Sequence, residues 1–241
     1  MPKILILAPS GFGKTSGIGP NPDINIEGLP VEKTYLITVT SKDLPFAGSR
    51  KLYPATDSTN IEDLKKSKRF ISNNAKDIAA VLNALATNPN IENVVIDDTN
   101  YIMQDYYMDN ALKQGWDAPK KVGYDMGQIF KALEKFHDKN VFVLAHYQLN
   151  KLSADESRVE YQMKTTGKMT DEYLTPSGKF DITLVGKTRM DPSSKKVEKY
   201  YVTNDDGETQ GAKSAPGMFP INITNDLGYI AKRVKQFYEG E

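Results

Sequence analysis

The sequence predicts an α/β fold, a mainly parallel sheet flanked by helices with a C-terminal antiparallel hairpin, and three observations predict it. Uninterrupted aliphatic runs at 4–7, 94–96 and 141–145 have the pattern of strands buried on both faces. Stretches with apolar residues at helical spacing alternate with these runs, which is the order of strand, crossover, parallel strand. In the last third, two extended segments flank the turn-forming Asp191-Pro192-Ser193-Ser194.

The first strand runs straight into Ala8-Pro9-Ser10-Gly11-Phe12-Gly13-Lys14-Thr15-Ser16. A strand followed by a glycine-rich loop ending Gly-Lys-Thr reads as a phosphate-binding loop, with backbone N–H groups turned inward, Lys14 for the β- and γ-phosphates and the Thr15 hydroxyl for Mg²⁺. Pro9, Ser10, Gly11, Phe12, Gly13, Lys14, Thr15 and Ser16 are the candidate nucleotide-binding residues. Ala8 stands where the motif has its first glycine, a small side chain in place of none. An ordinary strand-to-helix turn has the same composition, but the strand context favours the loop. Gly17, Gly19, Pro20 and Pro22 follow at once, so the helix that normally succeeds such a loop must be short.

A second strand is expected over 34–40, then a loop with Leu44-Pro45-Phe46-Ala47-Gly48. The cluster Lys65, Lys66, Lys68, Arg69 reads as a solvated face, with a DNA-facing patch as the alternative. Apolar spacing predicts a helix over 74–88 with a start signal at Asn74, and another over 126–139 carrying His137 as a structural residue on its apolar stripe. A strand at 94–97 ends in Asp97 and Asp98, and one at 141–145 ends in His146. The segment 147–180 is polar and charge-mixed, and reads as a mobile loop region. The hairpin strands fall at 180–190 and 197–203, and a last helix at 226–238.

In a mainly parallel sheet, ligands sit at the carboxyl ends of the strands, and three such ends supply Gly13-Lys14-Thr15, Asp97-Asp98 and His146. Asp97 is the candidate Mg²⁺ acid together with Thr15, since Mg²⁺ takes one or two carboxylates and keeps its waters; a strand-end Asp also caps turns. Asp98 either polarises an attacking water or faces away, because neighbouring strand residues point to opposite sides. His146 either senses the γ-phosphate or bonds to backbone. Lys187 and Arg189 near the hairpin turn suit a finger reaching a neighbouring subunit's triphosphate, and are otherwise solvated. Lys151, Arg158, Lys164 and Lys168, with Tyr147, Tyr161 and Tyr173 interleaved, could track a single-stranded backbone, although nearby acids dilute their charge. The same holds for Tyr106, Tyr107, Trp116, Lys120 and Lys121 in the loop region after Asp97.

The chain has 241 residues, read as a single domain over 1–241, with 31 basic and 31 acidic residues, so no global basic field marks a nucleic-acid partner. The absence of cysteine excludes disulfides, thiolate zinc sites and cysteine nucleophiles. No long apolar run or leader is visible, and a soluble cytoplasmic protein without membrane contact is expected.

Taken together, these stretches resemble the RecA-like P-loop ATPases, and more closely the phage-encoded ATP-binding proteins of that group, some of which look like single-strand annealing recombinases. The likeness is carried by 11–15, 42–48, 95–98, 145–146, 164–169, 212–219 and 225–227. It implies a RecA-like core using ATP and Mg²⁺, with Lys14 and Thr15 as the loop lysine and hydroxyl, Asp97 as the Walker B acid, His146 as the sensor, and Lys187 and Arg189 near the hairpin used across subunits; Asp98 stays a catalytic candidate on its strand-end position alone. It also implies single-stranded DNA held by loops after Asp97 and His146, through Lys120, Lys121, Lys151, Lys164 and Lys168. Head-to-tail homo-oligomers and phage replication or recombination partners in the host cytoplasm follow from the same likeness. Two other classes stay open: a small P-loop kinase of a nucleotide or metabolite, which usually has an arginine-rich lid, and an ATP-gated interaction module with little hydrolysis.

Overall fold

In the computed structural model, residues 1–112, 118–152, 159–166, 176–192 and 195–240 are described. The chain runs β1 (Lys3–Leu7), β2 (Thr34–Thr38), α1 (Ser49–Leu52), β3 (Ala55–Thr56), α2 (Ile61–Lys66), β4 (Arg69–Ile71), α3 (Ala75–Ala86), β5 (Asn93–Asp97), α4 (Asn100–Asn110), α5 (Ala118–Leu133) and β6 (Asn140–Ala145). It continues through β7 (Tyr147–Lys151), β8 (Val159–Met163), β9 (Ile182–Met190), β10 (Val197–Val202), β11 (Asn222–Thr224) and α6 (Leu227–Glu239).

One sheet of nine strands has the order β11-β10-β9-β1-β6-β5-β2-β4-β3. From β9 to β3 every pairing is parallel, whereas β10 is antiparallel to both β9 and β11. The sequence expectation of a parallel sheet with a C-terminal antiparallel hairpin is met. β1 lies between β6 and β9, and β6 separates it from β5, so three strand ends that are far apart in sequence become neighbours at one edge.

The central strands have continuous apolar cores, Ile4–Leu7, Tyr35–Ile37, Val94–Ile96 and Val141–Ala145, because the sheet is covered on both sides. Leu5, Leu7, Ile37, Val94, Ile96, Val141 and Val143 face one layer with α3 and α5, where Ile78, Leu82, Met126, Ile129 and Leu133 meet them. The alternate residues Ile4, Ile6, Leu36, Val95, Phe142 and Leu144 face the other, packed with Phe12, Ile18, Leu29, Leu227, Ile230 and Val234. α3 starts where Asn74 accepts hydrogen bonds from the N–H groups of Lys76 and Asp77, as its sequence signal predicts.

Four expectations need correction. The region after Asp97 is largely helical: α4 begins at Asn100, and α5 begins at Ala118 and ends at Leu133 instead of spanning 126–139. His137 therefore lies beyond the helix, is exposed, and its carbonyl accepts from the amino group of Met1. Part of the polar segment 147–180 is a two-stranded antiparallel hairpin, β7 with β8, in which Tyr147 and Tyr161 stack edge to face at 4.9 Å. Arg69 leaves the solvated cluster to which it was assigned and is buried, because it opens β4 inside the sheet.

Candidate active site

The loop after β1 curls through two residues in the left-handed region, Gly11 (φ 76°) and Gly13 (φ 96°). It leads into a single 3₁₀ turn, Thr15–Gly17, which bears out the expectation of a short helix. The chain cannot continue helically because 17–28 is tied elsewhere. Asp226 caps α6 through the N–H groups of Gly228 and Tyr229, and its two oxygens also accept from Glu27 N (2.8 Å) and Gly28 N (3.1 Å). A Cβ on Gly228 would stand 2.0 Å from the Gly28 carbonyl oxygen, so the two backbones meet where only glycine fits.

The loop is braced from the C-terminal part of the chain. Asn225 Nδ2 donates to Gly13 O at 2.8 Å, and Asn225 Oδ1 accepts from the Tyr201 hydroxyl at 2.6 Å. Lys199 Nζ donates to Gly11 O at 2.9 Å. Phe12, placed among the nucleotide-binding residues, turns its side chain into the core against Tyr201, with ring centroids 5.3 Å apart; only its backbone is left for a ligand. The Ala8 variant has a local explanation. Gly186 on β9 lies against it, and a Cβ there would sit 2.6 Å from the Ala8 methyl, so the missing glycine of the loop has its counterpart on the adjacent strand.

Lys14 is 5% exposed and its ammonium is held by Ala8 O (3.0 Å), Pro9 O (3.4 Å) and His146 Nδ1 (3.3 Å). Burial pulls its pKa down, opposed by the charges of Asp97 and Asp98. Burial, then the charge of Lys14, also lowers the pKa of His146, so the imidazole is neutral near pH 7. His146 Nδ1 lies 3.2 Å from Ala8 O and 3.3 Å from Lys14 Nζ, so it donates to the carbonyl in one tautomer and accepts from the ammonium in the other, while Nε2 stands 3.9 Å from Asp98 Oδ1.

Thr15 Oγ1 donates to Asp97 Oδ2 at 2.7 Å. Asp97 is fully inside the protein, and burial followed by the neighbouring Asp98 charge pushes its carboxyl up to about 6. Its second oxygen, Oδ1, is buried with no hydrogen-bond partner. Two hard oxygen donors side by side, one carboxylate oxygen unsatisfied, fit Mg²⁺. Among the described residues no group of three or more His, Cys, Asp or Glu gathers, so an ion here would complete its shell with phosphate oxygens and water. Asp98 faces the same cleft, contrary to strand alternation, because it leaves β5 with φ 62° and the turn swings its side chain back beside its neighbour.

These groups line one cleft of about 410 Å³, walled by Ser10, Gly11, Gly13, Lys14, Thr15 and Ser16 on one side. The opposite side contains Thr38, Thr40, Lys42, Arg69 and Tyr101. Lys14, Thr15, Asp97, Asp98 and His146 are brought together as the sequence suggested. Lys187 and Arg189 are not brought to this chain's own loop: Lys187 lies over the Tyr161 ring, and Arg189 pairs with Glu198 at 2.7 Å above the Tyr200 ring. Lys121 is occupied by Asp125 and the Tyr106 ring, while Lys120, Lys151 and Lys164 are exposed. Trp116, Arg158, Lys168 and Tyr173 lie outside the described residues. Sequence reasoning missed Arg69, Lys199, Asn225 and Gly186; for Arg69 the signal was a cation beginning the short apolar run Phe70-Ile71, hidden by the lysines before it.

No family model matches the chain, and no curated protein matches it. Among solved structures, the KaiC-like protein PH0186 from Pyrococcus horikoshii OT3 is similar over 83% of this chain and 77% of that one, with 12% identity and a TM-score of 0.44. At that identity and score the likeness lends no residue a role, and the chemistry open to the cleft is set by its own groups.

Proposed function

We propose that the chain is a Mg²⁺-dependent P-loop ATPase of RecA-like type, acting on single-stranded DNA in phage recombination, annealing or replication. One observation carries the enzymatic part: a buried lysine, a threonine hydroxyl and a buried carboxylate with an orphaned oxygen meet at the mouth of a glycine loop. Loop N–H groups and Lys14 would hold the β- and γ-phosphates. Thr15 and Asp97 would hold Mg²⁺, which neutralises charge on the phosphate oxygens when bound. Asp98, which lines the same cleft, would orient an attacking water, and His146, 3.3 Å from Lys14 and 3.9 Å from Asp98, would sense the terminal phosphate.

The DNA part is supported by the family resemblance and by position. Lys164 lines a second cleft that includes His146 and Tyr147, next to the nucleotide cleft, so a strand bound there would touch the sensor. The test is ATP turnover with and without single-stranded DNA over a salt series. Stimulation that fades with salt is expected, and Lys14→Ala should lower turnover roughly 100-fold or more while leaving the circular dichroism spectrum unchanged. Unchanged turnover in Lys14→Ala would overturn the site, and phosphoryl transfer to a small acceptor regardless of DNA would replace the ATPase with a kinase.

A further inference from the structure

The cleft does not stop at Asp97. Past the carboxyl end of β5 it extends over β2 and β4, where Thr38, Thr40, Lys42, Asp43 and Arg69 line it. Arg69 pairs in register with Leu36, and its side chain climbs toward the carboxyl edge of the sheet. There Nε donates to Thr38 Oγ1 at 2.8 Å, and Nη2 donates to the carbonyls of Thr40 (3.2 Å) and Lys42 (2.7 Å).

Arg69 is only 7% exposed, and all three of its acceptors are neutral. Among the described residues no carboxylate forms an ion pair with it, and Asp97 and Asp43 act on its charge only from beyond contact. Asp43 is gripped by Arg50 Nε and Nη2 at 2.9 and 2.6 Å, and Asp97 Oδ2 accepts from Thr15. A buried guanidinium with no direct ion pair, favoured only by the more distant charges of Asp97 and Asp43, is costly, and a neutral donor would brace the 40–42 loop without that cost. Its remaining donor nitrogen, Nη1, meets no acceptor among the described residues, so the fork has capacity to spare. At the same end of the cleft the Lys42 ammonium stands 5.4 Å above the Tyr101 ring, and the Thr38 hydroxyl, which accepts from Arg69, keeps its own proton to donate.

We infer that Arg69, with Lys42 and the hydroxyls of Thr38 and Thr40, forms a second oxyanion subsite that takes a phosphate group beside the P-loop nucleotide. The uncommitted Nη1 of a buried guanidinium, an ammonium and hydroxyls around a polar hollow form a cationic donor set suited to a phosphate. The ligand is either orthophosphate parted from the nucleotide or the phosphate of a phosphorylated acceptor. The subsite rests on the nucleotide reading for its neighbour and not for its own donors.

The test titrates the full chain, saturated with Mg²⁺ and ADP, with orthophosphate in a calorimeter. Saturable binding is expected, weakened roughly 10- to 100-fold in Arg69→Gln with the ADP affinity unchanged. No binding by the native protein, or equal binding by Arg69→Gln, overturns the inference. If Arg69→Gln fails to fold, Lys42→Gln on the exposed loop should weaken orthophosphate in the same direction, and an unchanged affinity there is equally fatal. Methyl phosphate separates the two sources: competition with orthophosphate shows room for a phosphorylated acceptor, and its exclusion assigns the subsite to released orthophosphate. Should ADP itself not bind, the nucleotide reading fails on its own, and orthophosphate titrated into the nucleotide-free chain still decides the subsite.

Discussion

Asp97 sits inside the protein beside another acid, and without metal the fold works against its charge. Its carboxyl titrates at about 6 in the folded chain against 3.8 ordinarily, so between those values the folded state holds a proton that the unfolded state has released. Stability from this group is complete below the ordinary value and is lost as pH rises through about 6, a change of about 3 kcal/mol. Asp97→Asn should therefore melt higher than the native protein at pH 7.5 in chelator, and the advantage should vanish at pH 4. The same variant should lose the stabilisation that Mg²⁺ and ATP give the native chain, measured by thermal unfolding. Lys14, Thr15, Asp97 and His146 were legible in the sequence because each ends a strand or sits at a fixed motif position. The direction of Asp98 was not, since alternation holds only while the strand continues and this residue has left it.

Among the elements, the glycine loop is unusual in lacking the long helix that ordinarily follows it and stiffens it. Its rigidity comes from contacts with β9, β10 and the start of α6 instead. The packing of Ala8 on Gly186 gives this a direct test. Gly186→Ala should cost about 1–3 kcal/mol in urea unfolding, and adding Ala8→Gly should recover part of it, the remainder coming from the Phe12 ring that the new methyl also meets at 2.9 Å, a coupling that independent sites would not show. Strands and the α3 and α6 helices were readable from periodicity and caps, whereas α4 was not. Its sequence, Asn-Tyr-Ile-Met-Gln-Asp-Tyr-Tyr-Met-Asp-Asn, spreads apolar residues around the helix with no single stripe, and burial of Ile102 and Met103 against α5 selects the conformation. The first-helix interruption was visible as glycine and proline; its reason, the Asp226 clasp on residues 27 and 28, joins positions that no local pattern connects.

For the whole molecule, the nine-stranded sheet carries its glycine-loop cleft near the middle of one edge and an exposed hairpin, the tip strands of β9 and β10, to one side. Arg189 there is held by Glu198 within its own chain, so a trans role requires that pair to open when a second subunit docks. Mixing tests this: Lys14→Ala and Arg189→Ala chains, each inactive alone, should regain part of the turnover when combined, because one junction then has both an intact loop and an intact finger. No recovery removes the head-to-tail reading. Parallel order was predictable from alternating elements, but the meeting of Lys199, Asn225 and Asp226 with the loop region was not, since it depends on pairing across about the full length of the chain. That dependence makes the loop hostage to distant sequence. Gly13 O is held from 212 positions away and Gly11 O from 188, so a substitution at Asn225 or Lys199 would loosen the glycine loop while every residue of its own motif stays intact.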